Sequence, residues 1–242
     1  MQIAGFLKTS LVEWPGKVVA VIFTPGCNFC CPFCHNPELV NPEQIKKQSL
    51  FKEIEVLADL KKRKKWLDGV VVTGGEPTLQ PDLSVFLDKI HRLGFLTMIE
   101  TNGSQPEVLK KLINQKKIDF AALDVKGTFK EYERYTGVDN SGEAVLKSLN
   151  LVVKGNINVE LRTTVVPGLH DGAVLIKIAQ EIQKTVPNDR FKRSGFRWVL
   201  QNFQTQNCLD PAFKKLKPYS KIEMVKFQKA IKKTIPGVEL RN

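Results

Sequence analysis

The sequence predicts an α/β protein whose mainly parallel sheet curls into a partial (β/α)6 barrel. Three observations carry that expectation. Apolar, β-branched runs alternate with longer amphipathic stretches along the chain, the order that repeated βα units produce. Proline, glycine or polar clusters punctuate these runs, and no low-complexity linker or short internal repeat divides them. The 242 residues, 42% of them hydrophobic, are enough for one sizeable core. A single domain over residues 1–242 is therefore expected, with its core at about 15–205 and a C-terminal helical extension at about 206–242.

The first strand, residues 17–23, contains Val18-Val19-Ala20-Val21-Ile22-Phe23 and stops at Thr24-Pro25-Gly26. After a polar stretch, Ser49 to Lys65 has helical spacing, with Leu50, Ile54, Leu57 and Leu60 on one face. Gly69 to Thr73 is the second strand, and Pro81 opens the helix from Asp82 to Leu93. Phe95 to Ile99 is the third strand, followed by a helix from Pro106 to near Asn114. Ile118 to Val125 makes the fourth strand and Gly142 to Val153 its helix. Ile157 to Val166 is the fifth, closed by Pro167-Gly168, with a helix from Gly172 to Lys184. Arg197 to Phe203 is the sixth strand, and Ser220 to Thr234 the last helix. In TIM-like barrels the chemistry sits on loops at the C-terminal strand ends, which is where the unusual residues of this chain fall.

The formal charge is +12 and the pI near 9.5, with lysine runs such as Lys61-Lys62-Arg63-Lys64-Lys65 and Lys232-Lys233. Solvated helix faces are the default reading of such runs, with an acidic protein or a nucleic acid as alternatives. No stacking aromatics are interleaved with them, which disfavours nucleic acid. The start lacks the apolar stretch of a signal peptide, and no run approaches the roughly 20 apolar residues of a membrane span. A soluble cytoplasmic protein with reduced thiols and no membrane partner is expected.

Between the first strand and its helix lies Cys27-Asn28-Phe29-Cys30-Cys31-Pro32-Phe33-Cys34-His35-Asn36. Cys27, Cys31 and Cys34 stand at C-x3-C-x2-C spacing on a loop that Gly26 frees to turn sharply. Iron–sulfur clusters take thiolate ligands, commonly four. Three close thiolates with no obvious fourth leave one iron open to something that is not protein. Two rival readings stay open. Cys31 to His35 is also a haem c attachment string, although it leaves Cys27 unused and needs export. A Cys3His zinc site with His35 is chemically sound, although structural zinc more often uses two separated pairs. Disulfides fail on an odd count of five cysteines, four of them crowded into one loop. Cys30 and Cys208 read as small buried side chains.

Other strand ends carry chemistry too. Thr73-Gly74-Gly75-Glu76-Pro77-Thr78 is at least a tight turn; its glycines would also let a ligand approach the main chain, and Glu76 could receive an ammonium group. Glu100-Thr101-Asn102-Gly103 reads as a strand end and turn. Alternation puts Asp124 and Lys126 on the same side, facing the barrel mouth, as an ion pair if nothing more. His170 reads as a surface loop residue rather than a base.

Together these stretches resemble the radical S-adenosylmethionine (SAM) superfamily, whose signature is C-x3-C-x2-C. Within it the chain resembles the glycyl-radical activases. The tail Cys34-His35-Asn36-Pro37-Glu38-Leu39, the segment Tyr135-Thr136-Gly137 and the R-x-x-V-x-P-G pattern from Arg162 to Gly168 carry that likeness. The opening Lys8 to Lys17 is similar to the branch that activates anaerobic ribonucleoside-triphosphate reductase, and the likeness runs from about Ile3 to Asn207.

The resemblance implies a [4Fe–4S] cluster on Cys27, Cys31 and Cys34, with SAM chelating the open iron. One electron, from a flavodoxin or ferredoxin type reductant, cleaves SAM to a 5′-deoxyadenosyl radical, which takes hydrogen from a glycine Cα of a partner glycyl-radical enzyme. It also implies cofactor contacts. Phe33 lies against the adenine, as does Val166, and Asn36 belongs to the same loop. Gly74, Gly75 and Glu76 meet the methionine amino group. Lys126 meets the carboxylate, with the fixed charge of Arg162 nearby, and Asp124 a ribose or amino group. Activases of pyruvate formate-lyase often carry a His where this chain has Gln204 or Gln201. Their Asp-Thr-Asn-Gly acid helps bind a monovalent cation; here Glu100 stands in its place, one methylene longer. A small-molecule acceptor of the 7-deazaguanine-precursor kind, or an RNA, remains an alternative. So does a ferredoxin-type carrier, for which only Cys30 could be the fourth ligand.

Overall fold

The computed structural model describes all residues except 188, 193, 194 and 242. Among these residues eight strands form one sheet whose order follows the chain. The strands are β1 Gly5–Ser10, β2 Val19–Thr24, β3 Gly69–Gly74, β4 Leu96–Thr101, β5 Phe120–Asp124, β6 Asn158–Val165, β7 Phe196–Asn202 and β8 Val238–Arg241. From β2 to β8 every neighbouring pair is parallel, while β1 runs antiparallel to β2. The helices are α1 Pro42–Ile45, α2 Glu53–Lys62, α3 Leu83–Arg92, α4 Pro106–Asn114, α5 Glu133–Thr136, α6 Ser141–Lys154, α7 Gly172–Thr185 and α8 Lys221–Ile231. The six predicted strands are β2 to β7, shifted by a residue or two, and the partial barrel stands.

Successive side chains on a strand point to opposite faces, so the sheet has two cores. Its outer face, with Ala20, Ile22, Val70, Val72, Ala121, Leu161 and Trp198, packs on helix residues such as Leu60, Phe86, Leu112, Leu149 and Ile178. The inner face packs Val19, Val21, Val71, Met98, Phe120 and Ala122 around Trp14. Trp14 comes from the segment after β1 and plugs the barrel floor, its ring 5.5 Å from that of Phe120. The opening Lys8 to Lys17 thus has a structural role: it closes one end of the lumen.

Three expectations need correction. The segment after about residue 206 is not only helical, because β8 extends the sheet beside β7, with Val238 buried. Four residues are too few to show a period, and β8 exists only because β7 offers a free edge. The antiparallel β1 adds a strand ahead of the expected core, and its central Leu7, Lys8 and Thr9 are exposed and do not alternate. On α2 the buried stripe is Val56 and Leu60, while Ile54 is 75% exposed. Ile54 and Val56 are two residues apart, hence on opposite sides of a helix, and Leu50 precedes the first turn. Among the described residues, no helix is long and apolar enough to cross a membrane.

Candidate functional site

The cysteine loop leaves β2 through Gly26, whose φ is +90° and whose N–H donates to the Leu39 carbonyl at 2.8 Å. The loop is tied from three further sides. Cys30 N donates to Thr136 O at 2.8 Å, Asp210 N to Pro32 O at 2.9 Å, and the Phe33 ring lies 6.5 Å from that of Phe213. Thr136 follows β5 and Asp210 follows β7, so elements distant in sequence shape this loop. Phe29, Cys31 and Phe33 share a third apolar cluster with Tyr132, Tyr135, Val166, Phe203 and Cys208.

Cys27, Cys31 and Cys34 all face one open cleft at the C-terminal strand ends, about 260 Å³ in volume. Phe33, Asn36, Gly74, Gly75, Glu100, Asp124, Lys126 and Arg162 line it as well. Cys30 is exposed and turned away, correcting its assignment as a buried side chain, whereas Cys208 is buried. Burial raises the Cys27 thiol to about 11 and the Cys31 thiol to about 12, and raises Cys34 too. Buried sulfurs become thiolates only where a cation shares their charge, as iron does. Donors already point at them: Phe29 N at 3.4 Å and Asn102 Nδ2 at 3.7 Å from Cys27 Sγ, and the Asn36 N–H at Cys34. The trio therefore fits an iron–sulfur cluster, whose sulfurs take such hydrogen bonds. A single zinc ion fits poorly. His35 Nε2, the fourth ligand that a Cys3His site needs, is engaged by the Gln204 carbonyl at 3.0 Å.

Opposite the thiols, Lys126 Nζ stands 2.7 Å from Asp124 Oδ2. Burial opposes the ammonium form, but the Asp124 carboxylate and the Cys31 sulfur outweigh it and hold the pKa well above the usual lysine range. The Lys126 backbone is gripped at both ends: Tyr132 Oη accepts from its N–H at 2.8 Å, and His170 Nε2 meets its carbonyl at 2.8 Å.

Other predicted residues do different work from that expected. Glu76 is fully buried beneath the cleft. Its Oε1 accepts from Thr78 N at 3.0 Å, Thr101 Oγ1 at 2.7 Å and Thr78 Oγ1, and its Oε2 from Asn102 N at 2.7 Å. Burial pushes its pKa up against these four donors. Glu76 therefore staples the β3 and β4 loops together rather than facing a ligand's ammonium group. The glycines before it are needed for close backbone packing: a Cβ on Gly75 would lie 2.0 Å from Gly26 O, and one on Gly74 2.3 Å from Thr24 N. Arg162 is also committed. Its guanidinium binds Glu100, Glu160 Oε1 at 2.5 Å and the Glu13 carbonyl at 3.2 Å. Glu160 in turn accepts from Arg197 at 2.7 Å and Arg241 at 2.8 Å, so an ion network fills the lumen beside the Trp14 plug. Val166 is fully buried in the third cluster and does not line the cleft. Gln204 is exposed and contributes only its carbonyl, while Gln201 faces the cleft. His170 is 1% exposed, which corrects its reading as a surface residue.

Thr101, Asn102 and Thr164 also line the cleft and were not singled out from the sequence. Thr101 and Asn102 belong to the Glu100-Thr101-Asn102-Gly103 stretch at the end of β4, and its likeness to the activases' Asp-Thr-Asn-Gly is the signal that marks them.

A parallel partial barrel with three thiols on the loop after its first parallel strand defines a class. Residues 21–176 match the model of the Radical SAM superfamily, and the chain belongs to that superfamily. It is a radical SAM enzyme, and membership implies a [4Fe–4S] cluster and SAM as cofactors. Its whole length is similar to a candidate glycyl-radical enzyme activating enzyme of Methanocaldococcus jannaschii, 34% identical over 246 residues, spanning 99% of this chain and 95% of that one. The pyruvate formate-lyase-activating enzyme of Clostridium pasteurianum is 29% identical over 198 residues, 77% of this chain and 78% of that one. In fold the chain is similar to SuiB of Streptococcus suis bound to S-adenosylmethionine, with a TM-score of 0.66 and 16% identity over 91% of this chain. The chain spans about half the length of that protein, 51%.

Proposed function

We propose that this enzyme is a glycyl-radical activase, and that its partner is the anaerobic ribonucleoside-triphosphate reductase. The observation that carries the reading is the convergence of Cys27, Cys31 and Cys34 on one cleft that the Asp124–Lys126 pair faces. The full-length likeness to a candidate activating enzyme supports the choice of acceptor. Cys27, Cys31 and Cys34 hold the cluster, and the cleft holds SAM with Phe33 against its adenine. Bound there and reduced, the cluster would supply the electron that splits the sulfonium, and with it the means to remove a hydrogen atom from a glycine Cα of the partner.

The chain's own residues position and shield. The ammonium of Lys126 binds the cofactor carboxylate, where Asp124 restrains it. The Gly74–Gly75 carbonyls receive the amino group, with Glu76 fixing their loop from below. Asn36 and Gln201 supply hydrogen bonds at the cleft wall. Glu100 is engaged by Arg162, so a guanidinium supplies positive charge where the resemblance implies a monovalent cation. The buried aromatic cluster under the cysteine loop excludes water from the sulfurs.

Anaerobically reconstituted protein reduced with dithionite should release 5′-deoxyadenosine from SAM. Mixed with the reductase, it should raise a glycyl electron-spin signal on that partner. Release without a glycyl signal would move the acceptor to a small molecule or RNA, and no release at all would leave an electron carrier.

A further inference from the structure

His170 belongs to none of the loop motifs, yet it sits at the point where the cleft's lysine is fixed. The Val166 N–H donates to its Nδ1 at 3.0 Å, so that nitrogen is bare and the proton is on Nε2. Nε2 then donates to the Lys126 carbonyl at 2.8 Å. Two tyrosines hold the residue in place. Tyr135 lies 5.2 Å from the imidazole, and its ring packs so closely on Gly127 that a Cβ there would be 2.0 Å away. Tyr219, from the segment after β7, donates its hydroxyl to the His170 carbonyl at 2.6 Å. The peptide of Lys126 is where the chain leaves β5 and its regular pairing. Its N–H and carbonyl are both satisfied by side chains, Tyr132 and His170, rather than by a strand.

We infer that His170 is a positioning residue for the proposed SAM site: its Nε2–H, bound to the Lys126 carbonyl, aims the lysine ammonium into the cleft. The inference rests on the reading of Lys126 as the group that binds the cofactor carboxylate. Without the bond, the 126–127 peptide can rotate and the ammonium must be re-ordered when SAM binds. Affinity then falls without loss of the cluster.

The test is equilibrium binding of SAM to the anaerobically reconstituted holoprotein, unreduced, together with cluster absorbance. His170→Asn keeps an acceptor for Val166 N but loses the donor to Lys126. His170→Gln places an amide N–H where Nε2 stood. The asparagine variant should bind SAM about fivefold more weakly, the worth of one hydrogen bond, and the glutamine variant within about twofold of the parent. Cluster absorbance should be unchanged in both. A cycle with Lys126→Met separates positioning from general support. In the Lys126→Met background, His170→Asn should have no further effect. A fivefold loss there too would overturn the inference, as would wild-type affinity in His170→Asn. If Lys126→Met alone binds SAM like the parent, the reading of Lys126 fails instead.

Discussion

Glu76→Gln tests whether the buried carboxylate under the cleft is a staple. The four donors facing it are arranged three on Oε1 and one on Oε2. A glutamine retains most by putting its carbonyl where Oε1 stood. Its amide nitrogen then faces the Asn102 N–H across 2.7 Å, donor against donor. One charge-assisted hydrogen bond, worth about 1.5–3 kcal/mol, is lost, and a buried N–H is left without an acceptor. The reverse orientation loses three bonds and is worse. Destabilisation of about 2–4 kcal/mol follows, a 30-fold or larger shift in the folding equilibrium at about 1.4 kcal/mol per decade. Urea unfolding followed by circular dichroism measures it, because the midpoint falls while the slope stays constant. SAM affinity should fall in parallel, since Asn102 and Gly75 line the cleft from the two loops joined. A variant as stable as the parent that has lost SAM binding would refute the reasoning, because Glu76 would then be a ligand and not a support.

Other outcomes follow from the same geometry. Cys27→Ala, Cys31→Ala and Cys34→Ala should each abolish the cluster's visible absorbance after reconstitution, whereas Cys30→Ala should keep it, because Cys30 faces solvent. Gly75→Ala would drive a methyl into Gly26 O and push the β3 loop off the cysteine loop, so reconstitution yield should drop several-fold. Trp14→Ala, which empties the barrel floor, should cost about 3–5 kcal/mol in urea unfolding without altering the cluster's spectrum. Burial lowers the pKa of His170 from 6.5 to about 4, so the native state binds its proton less readily than the unfolded chain. Its contribution is therefore present above pH 6.5 and lost as pH falls towards 4, by about 3 kcal/mol in all. His170→Gln should lack that part of the acid destabilisation when unfolding midpoints are compared at pH 7.5 and about pH 4.5.

The sequence by itself determined the six parallel strands, most of the helices and the loop that carries the thiols. These are local matters: Val18 to Phe23 can scarcely be anything but a buried strand, and C-x3-C-x2-C is legible because its ligands are contiguous. It also placed Asp124 and Lys126 on the same side, since alternation along one strand needs no partner. Tertiary structure decided what sequence spacing cannot express. Whether Glu76 faces a ligand or the protein depended on where Thr101 and Asn102 come to lie, about 25 residues on. The charge of Arg162 was legible, and so was its nearness to Glu160 two residues earlier on the same strand, but its engagement with Glu100 crosses from β6 to β4 and came from the curl of the sheet. The burial of His170 came from Tyr135 and Tyr219, one far before it and one far after. Strands β1 and β8 and the Trp14 plug appear only once the sheet exists to receive them, because an edge strand takes its hydrogen bonds, and a plug its cavity, from the rest of the fold.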